Sequence, residues 1–184
     1  EPDNLGDTTT LAETSATFDI ASRDAGAAVG TWIENFALEV GKTYSHARAT
    51  ISTTMVIGGY TTNSSISSSY CVTSSSPTTD AAHTAAPITT GSNATTSAEM
   101  DWVVPNMLDA DNGAFYGDLT SDYSTNGITK TNGATSFTWI GALATPYTPT
   151  VTSAPKITLS FDVANALRSQ QAAVNSCYMY VLPP

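Results

Sequence analysis

The chain has 184 residues with six basic and sixteen acidic side chains, for a formal net charge of −10 at pH 7. So few cations exclude a surface that neutralises phosphates, and with it nucleic acid or an anionic membrane as partner; no apolar run approaches the roughly 20 residues of a membrane helix. Charged residues make up 12% of the chain, about half of ordinary usage, and Ser and Thr fill roughly a quarter of positions, a composition that suits a secreted β protein built for repetition or assembly.

The chain opens at Glu1 without Met, which fits a mature chain after signal-peptide removal. Residues 1–14 are polar and aperiodic and read as an extended N-terminal arm. Residues 15–21 alternate, with Phe18 and Ile20 in phase, and predict a first strand. Residues 24–30 are small and read as a turn. Residues 31–40, TWIENFALEV, fit helix spacing at Trp32, Phe36 and Glu39 and strand spacing over FALEV.

Gly41-Lys42 then turns the chain into the longest alternating stretch, residues 43–57. Ala47, Ala49, Ile51, Thr53, Met55 and Ile57 share one face; Tyr44, His46, Arg48, Thr50, Ser52 and Thr54 share the other. An unbroken strand here would run roughly 50 Å, so a bulge or bend is expected, and Gly58-Gly59 ends it. Ile66, Ser68, Tyr70 and Val72 alternate around Cys71 and predict a short strand. Residues 74–97, rich in Ser and Thr and interrupted by Pro77 and Pro87, read as one long surface loop. Residues 98–104 return to alternation, with Met100, Trp102 and Val104 together and Pro105 as the stop.

Residues 109–122 form an acidic loop, DADNGAFYGDLTSD. Asn126-Gly127 and Asn132-Gly133 are tight-turn dipeptides. Residues 136–143 and 156–163 alternate and predict strands. Residues 164–174, ANALRSQQAAV, hold good helix formers and predict a short helix, with Asp162 as its cap. CYMYVLPP predicts a closing strand. Many short alternating segments, Gly/Pro turns and at most one or two short helices predict an all-β fold, an antiparallel β-sandwich or jelly roll, as a single domain over 1–184.

Four features offer chemistry. Cys71 and Cys177 are the only cysteines, and an even count in a secreted chain predicts a disulfide. Asp109, Asp111 and Asp118 supply oxygens for a divalent cation, Ca2+ by preference, although Gly113 takes the fifth place counting Asp109 as the first, where an EF-hand needs its glycine sixth; a solvated acidic turn explains the same residues. Asn63 and Asn93 begin Asn-x-Ser/Thr sequons in polar sequence, where a glycan would point to solvent. Trp32, Trp102 and Trp139 could stack on a sugar ring, but the last two sit in phase with apolar neighbours and read as core. Catalysis has little to work with. His46 is an exposed-face strand residue and His83 lies in Ala/Thr-rich sequence. Neither accompanies a nucleophile elbow, a zinc-protease motif or a phosphate loop, so the chain reads as a non-enzyme.

The acidic, Thr/Ser/Ala/Gly-rich, charge-poor composition with one cysteine pair resembles that of bacterial surface-fibre subunits. The wide spacing of Cys71 and Cys177 departs from the closely spaced pair of chaperone–usher pilins, so no residue roles transfer from that family. The expectation is a secreted structural subunit, extracellular or at the cell surface, that polymerises with copies of itself, with Phe18 and Ile20 as anchors of a strand added between subunits. A carbohydrate- or cell-surface-binding module is the alternative.

Overall fold

A computed structural model of the chain describes residues 6–20, 28–33, 36–62, 69–73, 85–90, 99–107, 119–153, 155–159, 166–173 and 176–181. The fold is all-β: antiparallel sheets with one short helix among the described residues. No described helix is long and apolar enough to cross a membrane. The chain divides into two compact units, residues 1–48 with 140–163, and residues 49–139 with 164–184.

The expected long strand is present and bends once. β1 (Tyr44–Ser52) and β2 (Thr54–Ile57) are separated at Thr53. Residues 49, 51, 53, 55 and 57 are buried or half-buried while 50, 52, 54 and 56 are exposed, so the alternation survives the break. β1 lies at the edge of a three-stranded sheet of order β1-β8-β7, where β7 is Ile128–Thr129 and β8 is Ser136–Tyr147. β2 pairs antiparallel with β6 (Met100–Val103), placing Met55 opposite Trp102 and Ile57 opposite Met100. These inward cross-strand pairs build the core with Cys71, Val104, Tyr123 and Phe137.

The remaining strands form a five-stranded sheet of order β3-β4-β5-β10-β9. β3 is Tyr60–Thr62, β4 Ser69–Val72, β5 Ala85–Thr90, β9 Leu167–Ala173 and β10 Ser176–Val181. β5 divides its pairing: Ala85, Ala86 and Pro87 face β10, and Ile88, Thr89 and Thr90 face β4. A proline offers no N–H to a ladder and favours such changeovers. The outer strands meet through a hydrogen bond from Thr61 Oγ1 to Ser169 Oγ. Nearby, a Cβ built on Gly59 would lie 3.1 Å from Leu167 Cδ2. The sheet therefore curls until its two ends touch.

Cys71, fully buried on β4, is disulfide-bonded, and Cys177 on β10 is the chain's other cysteine. In a flat sheet, strands two apart are roughly 9–10 Å from each other, beyond the roughly 4.4–6.8 Å that a disulfide tolerates between Cα atoms. The curl at β5 is what makes the bridge feasible.

Five expectations change. Residues 15–20 form no strand, and the described part of 31–40 forms neither strand nor helix. The expected loop 74–97 contains β5. Residues 156–159 are irregular rather than the start of a strand, and the expected helix over 164–174 is largely β9, held by pairing with β10. The helix that does form, α1 (Thr120–Thr125), begins in the last three residues of the expected acidic loop and runs past its end. It has no side-chain N-cap, but Tyr123 is buried and donates its hydroxyl proton to Pro105 O at 2.7 Å.

Candidate functional site

The two units differ in how they treat apolar side chains. Every residue of the buried core cluster belongs to 49–139 or 164–184. Among the described residues of 1–48 and 140–163, Pro149 is buried and no other side chain is. Yet this unit carries Phe18, Ile20, Ile33 and Phe36 half-buried, Trp32 and Ile157 and Leu159 more than a third exposed, and Val40 and Val151 more exposed still.

Polar contacts tie this unit together. The Tyr44 hydroxyl sits between Thr9 Oγ1 at 3.1 Å and the Glu39 N–H, which donates to it at 3.2 Å. Trp32 Nε1 donates to Thr14 O at 2.9 Å. Gly41 N–H donates to Pro149 O at 3.0 Å, and the Thr43 and Thr148 hydroxyls lie 2.7 Å apart. Lys42 Nζ stands 5.8 Å from the centre of the Tyr44 ring. Gly41 has φ +81°, a left-handed turn that glycine adopts without strain.

The arm is held by side-chain contacts to Tyr44 and Trp32. Residues 6–18 join no strand and make no backbone-to-backbone hydrogen bond with a described residue. Phe18 rests its ring on Gly30, where an added Cβ would come within 2.8 Å of Cε1. Ile20 is half-buried. Phe18 and Ile20 thus belong to an irregular segment, although their alternation predicts a strand.

Other expected sites fall elsewhere. Asp109, Asp111 and Asp118 lie outside the described residues, as do Asn63, Asn93 and His83. No group of three or more metal-ligating side chains occurs among the described residues. His46 is exposed, with Nδ1 2.9 Å from Ser45 Oγ. Trp102 is buried and Trp139 half-buried, as their phase predicts.

A second constellation escaped the sequence reading. Lys130 and Asn106 are both buried, and Lys130 Nζ donates to Asn106 Oδ1 at 2.7 Å. Gly133 N–H donates to the same oxygen at 3.0 Å. Met107 N–H donates to Asn132 Oδ1 at 3.0 Å, and Leu119 N–H to Met107 O at 2.7 Å. These bonds tie Asn106 and Met107 to the 132–133 turn and Leu119 back to Met107. The Asn132-Gly133 dipeptide signals that turn in the sequence; nothing there signals its buried lysine.

No family model, no curated protein and no solved structure matches the chain.

Proposed function

We infer that the protein is a secreted structural subunit that polymerises with copies of itself into an extracellular filament, coat or surface layer. The observation that carries this reading is the unit of 1–48 and 140–163, which holds large apolar side chains and buries none of them among its described residues. Burying apolar surface is the main favourable term in folding and association, so large apolar side chains left uncovered among the described residues gain from a neighbour. Among the described residues the arm's backbone has no ladder partner over 6–18, and β1 is an edge strand among the described strands. Backbone groups without ladder partners invite pairing with another chain. A contact that adds one subunit's arm to the next subunit's edge is head-to-tail and propagates without closing.

Deleting residues 1–21 tests the reading. Folded monomers that no longer polymerise, seen by electron microscopy and sedimentation, support it. Polymers identical to those of the intact chain overturn strand addition by the arm.

A further inference from the structure

We propose that Lys130 and Asn106 join in an intramolecular isopeptide bond. The two side chains are 4% and 5% exposed. Lysine is almost never buried this far without a specific partner. Here its Nζ touches a carboxamide rather than lying along apolar surface, 2.7 Å from Oδ1. The electrophilic carbon, Asn106 Cγ, lies one C=O bond, about 1.2 Å, behind that oxygen.

Three features of the pair favour reaction. Contact between amine and amide within one fold replaces a bimolecular encounter with an intramolecular one. The Gly133 N–H, 3.0 Å from Oδ1, is a fixed donor on the oxygen where negative charge develops as the carbon turns tetrahedral. Burial of both side chains keeps out water that would hydrolyse the amide instead.

The step balances without an external reagent. The Lys130 nitrogen forms a bond to Asn106 Cγ, and the bond from Cγ to Nδ2 breaks. The ammonium carries three hydrogens on its nitrogen; one remains on the new amide and two pass to the departing nitrogen. The products are a secondary amide and one ammonium ion, with charge conserved and nothing oxidised or reduced. The bond would close a covalent loop from 106 to 130 around α1, whose Tyr123 is already anchored to Pro105 O.

The test is chymotryptic mapping of the reduced full-length protein by tandem mass spectrometry. The expected result is one branched peptide containing both Asn106 and Lys130, lighter than its two linear parts by one ammonia, about 17 Da. Trypsin should also fail to cut after Lys130. The Lys130→Arg variant keeps the charge and the donors but lacks the amine, and is expected to give linear peptides of full mass. Recovery of residues 106 and 130 from the wild type only on separate linear peptides, with cleavage after Lys130, overturns the proposal and leaves a hydrogen-bonded pair. An ammonia deficit that persists at Asn106 in Lys130→Arg overturns it equally.

Discussion

Truncating Ile157 and Leu159 together to alanine measures what a neighbouring subunit contributes. The two side chains are 39% and 38% exposed and lie in an irregular segment outside the buried core. Full burial of an Ile or Leu side chain is worth about 1.5–3 kcal/mol. The exposed fraction of each would therefore yield roughly 0.6–1.1 kcal/mol when covered by a second copy, and the pair roughly 1.2–2.2 kcal/mol. At about 1.4 kcal/mol per tenfold, the double variant should raise the critical concentration for polymer formation roughly 7- to 40-fold.

Pelleting assays across a concentration series give that threshold directly. The same variant should melt within about 2 °C of the parent, because neither residue belongs to the buried cluster and distant surface changes move stability little. An unchanged threshold would refute the reasoning, since the exposed third of these side chains would then stay exposed in the polymer. A collapse in melting temperature would refute it differently, by showing that the two side chains stabilise the folded subunit itself.

Met100→Ala makes the opposite case: Met100 is 1% exposed at the centre of the core, and its truncation should cost about 2–5 kcal/mol, read as a drop of roughly 4–20 °C in melting temperature; a shift under 2 °C would show that the core is not where the structure puts it. Replacing both cysteines by alanine releases a loop of about a hundred residues and should lose up to about 4–5 kcal/mol by denaturant midpoint, whereas a midpoint indifferent to the change would mean that the bond contributes nothing. Gly133→Ala meets no atom within 4 Å but must hold φ +75°, so about 1–2 kcal/mol should be lost to the backbone alone. Gly58→Ala, with only Glu99 Cγ near at 4.0 Å and no positive φ, should be neutral or slightly stabilising, and equal losses at the two glycines would refute the distinction.

What the sequence revealed followed from patterns that local physics enforces. Alternation marked residues 43–57 and the Met100, Trp102 and Val104 face because one side of each strand meets the core. Asn-Gly marked both turns at 126–127 and 132–133, where Gly127 and Gly133 hold φ +68° and +75°. The misses are elements that pairing creates against local preference. LRSQQAA is good helix sequence, yet it runs as β9 because β10 offers a ladder along its length; tertiary context overrides propensity. AAPITT has a proline and no clean alternation, and becomes β5 because it is paired from both sides. TSDYST is poor helix sequence, and α1 forms around one buried tyrosine. For the candidate site, alternation singled out Phe18 and Ile20, but the exposure of the described apolar side chains around them depends on which side chains end up covered. The Lys130–Asn106 contact depends on two residues 24 apart meeting, which no local pattern encodes.

Thr53 explains how one stretch of sequence serves two sheets. A register slip of one residue would send the inward side chains of β2 out to solvent. No slip occurs, since Ile51, Met55 and Ile57 stay on the inward face. Thr53 instead spends its backbone in two directions. Its N–H donates to Thr135 O at 3.0 Å, next to the start of β8, and its carbonyl accepts from Val104 N–H at 2.8 Å, just past the end of β6. Its hydroxyl donates to Ala134 O at 3.3 Å, so the one polar side chain on this face is satisfied although it is 2% exposed. The strand therefore leaves one sheet and enters the other without leaving a backbone group of the joint unpaired and without changing the face it buries. Valine has nearly the same shape but no hydroxyl, and isoleucine would add bulk; threonine is the residue that keeps both the inward phase and the hydrogen bond.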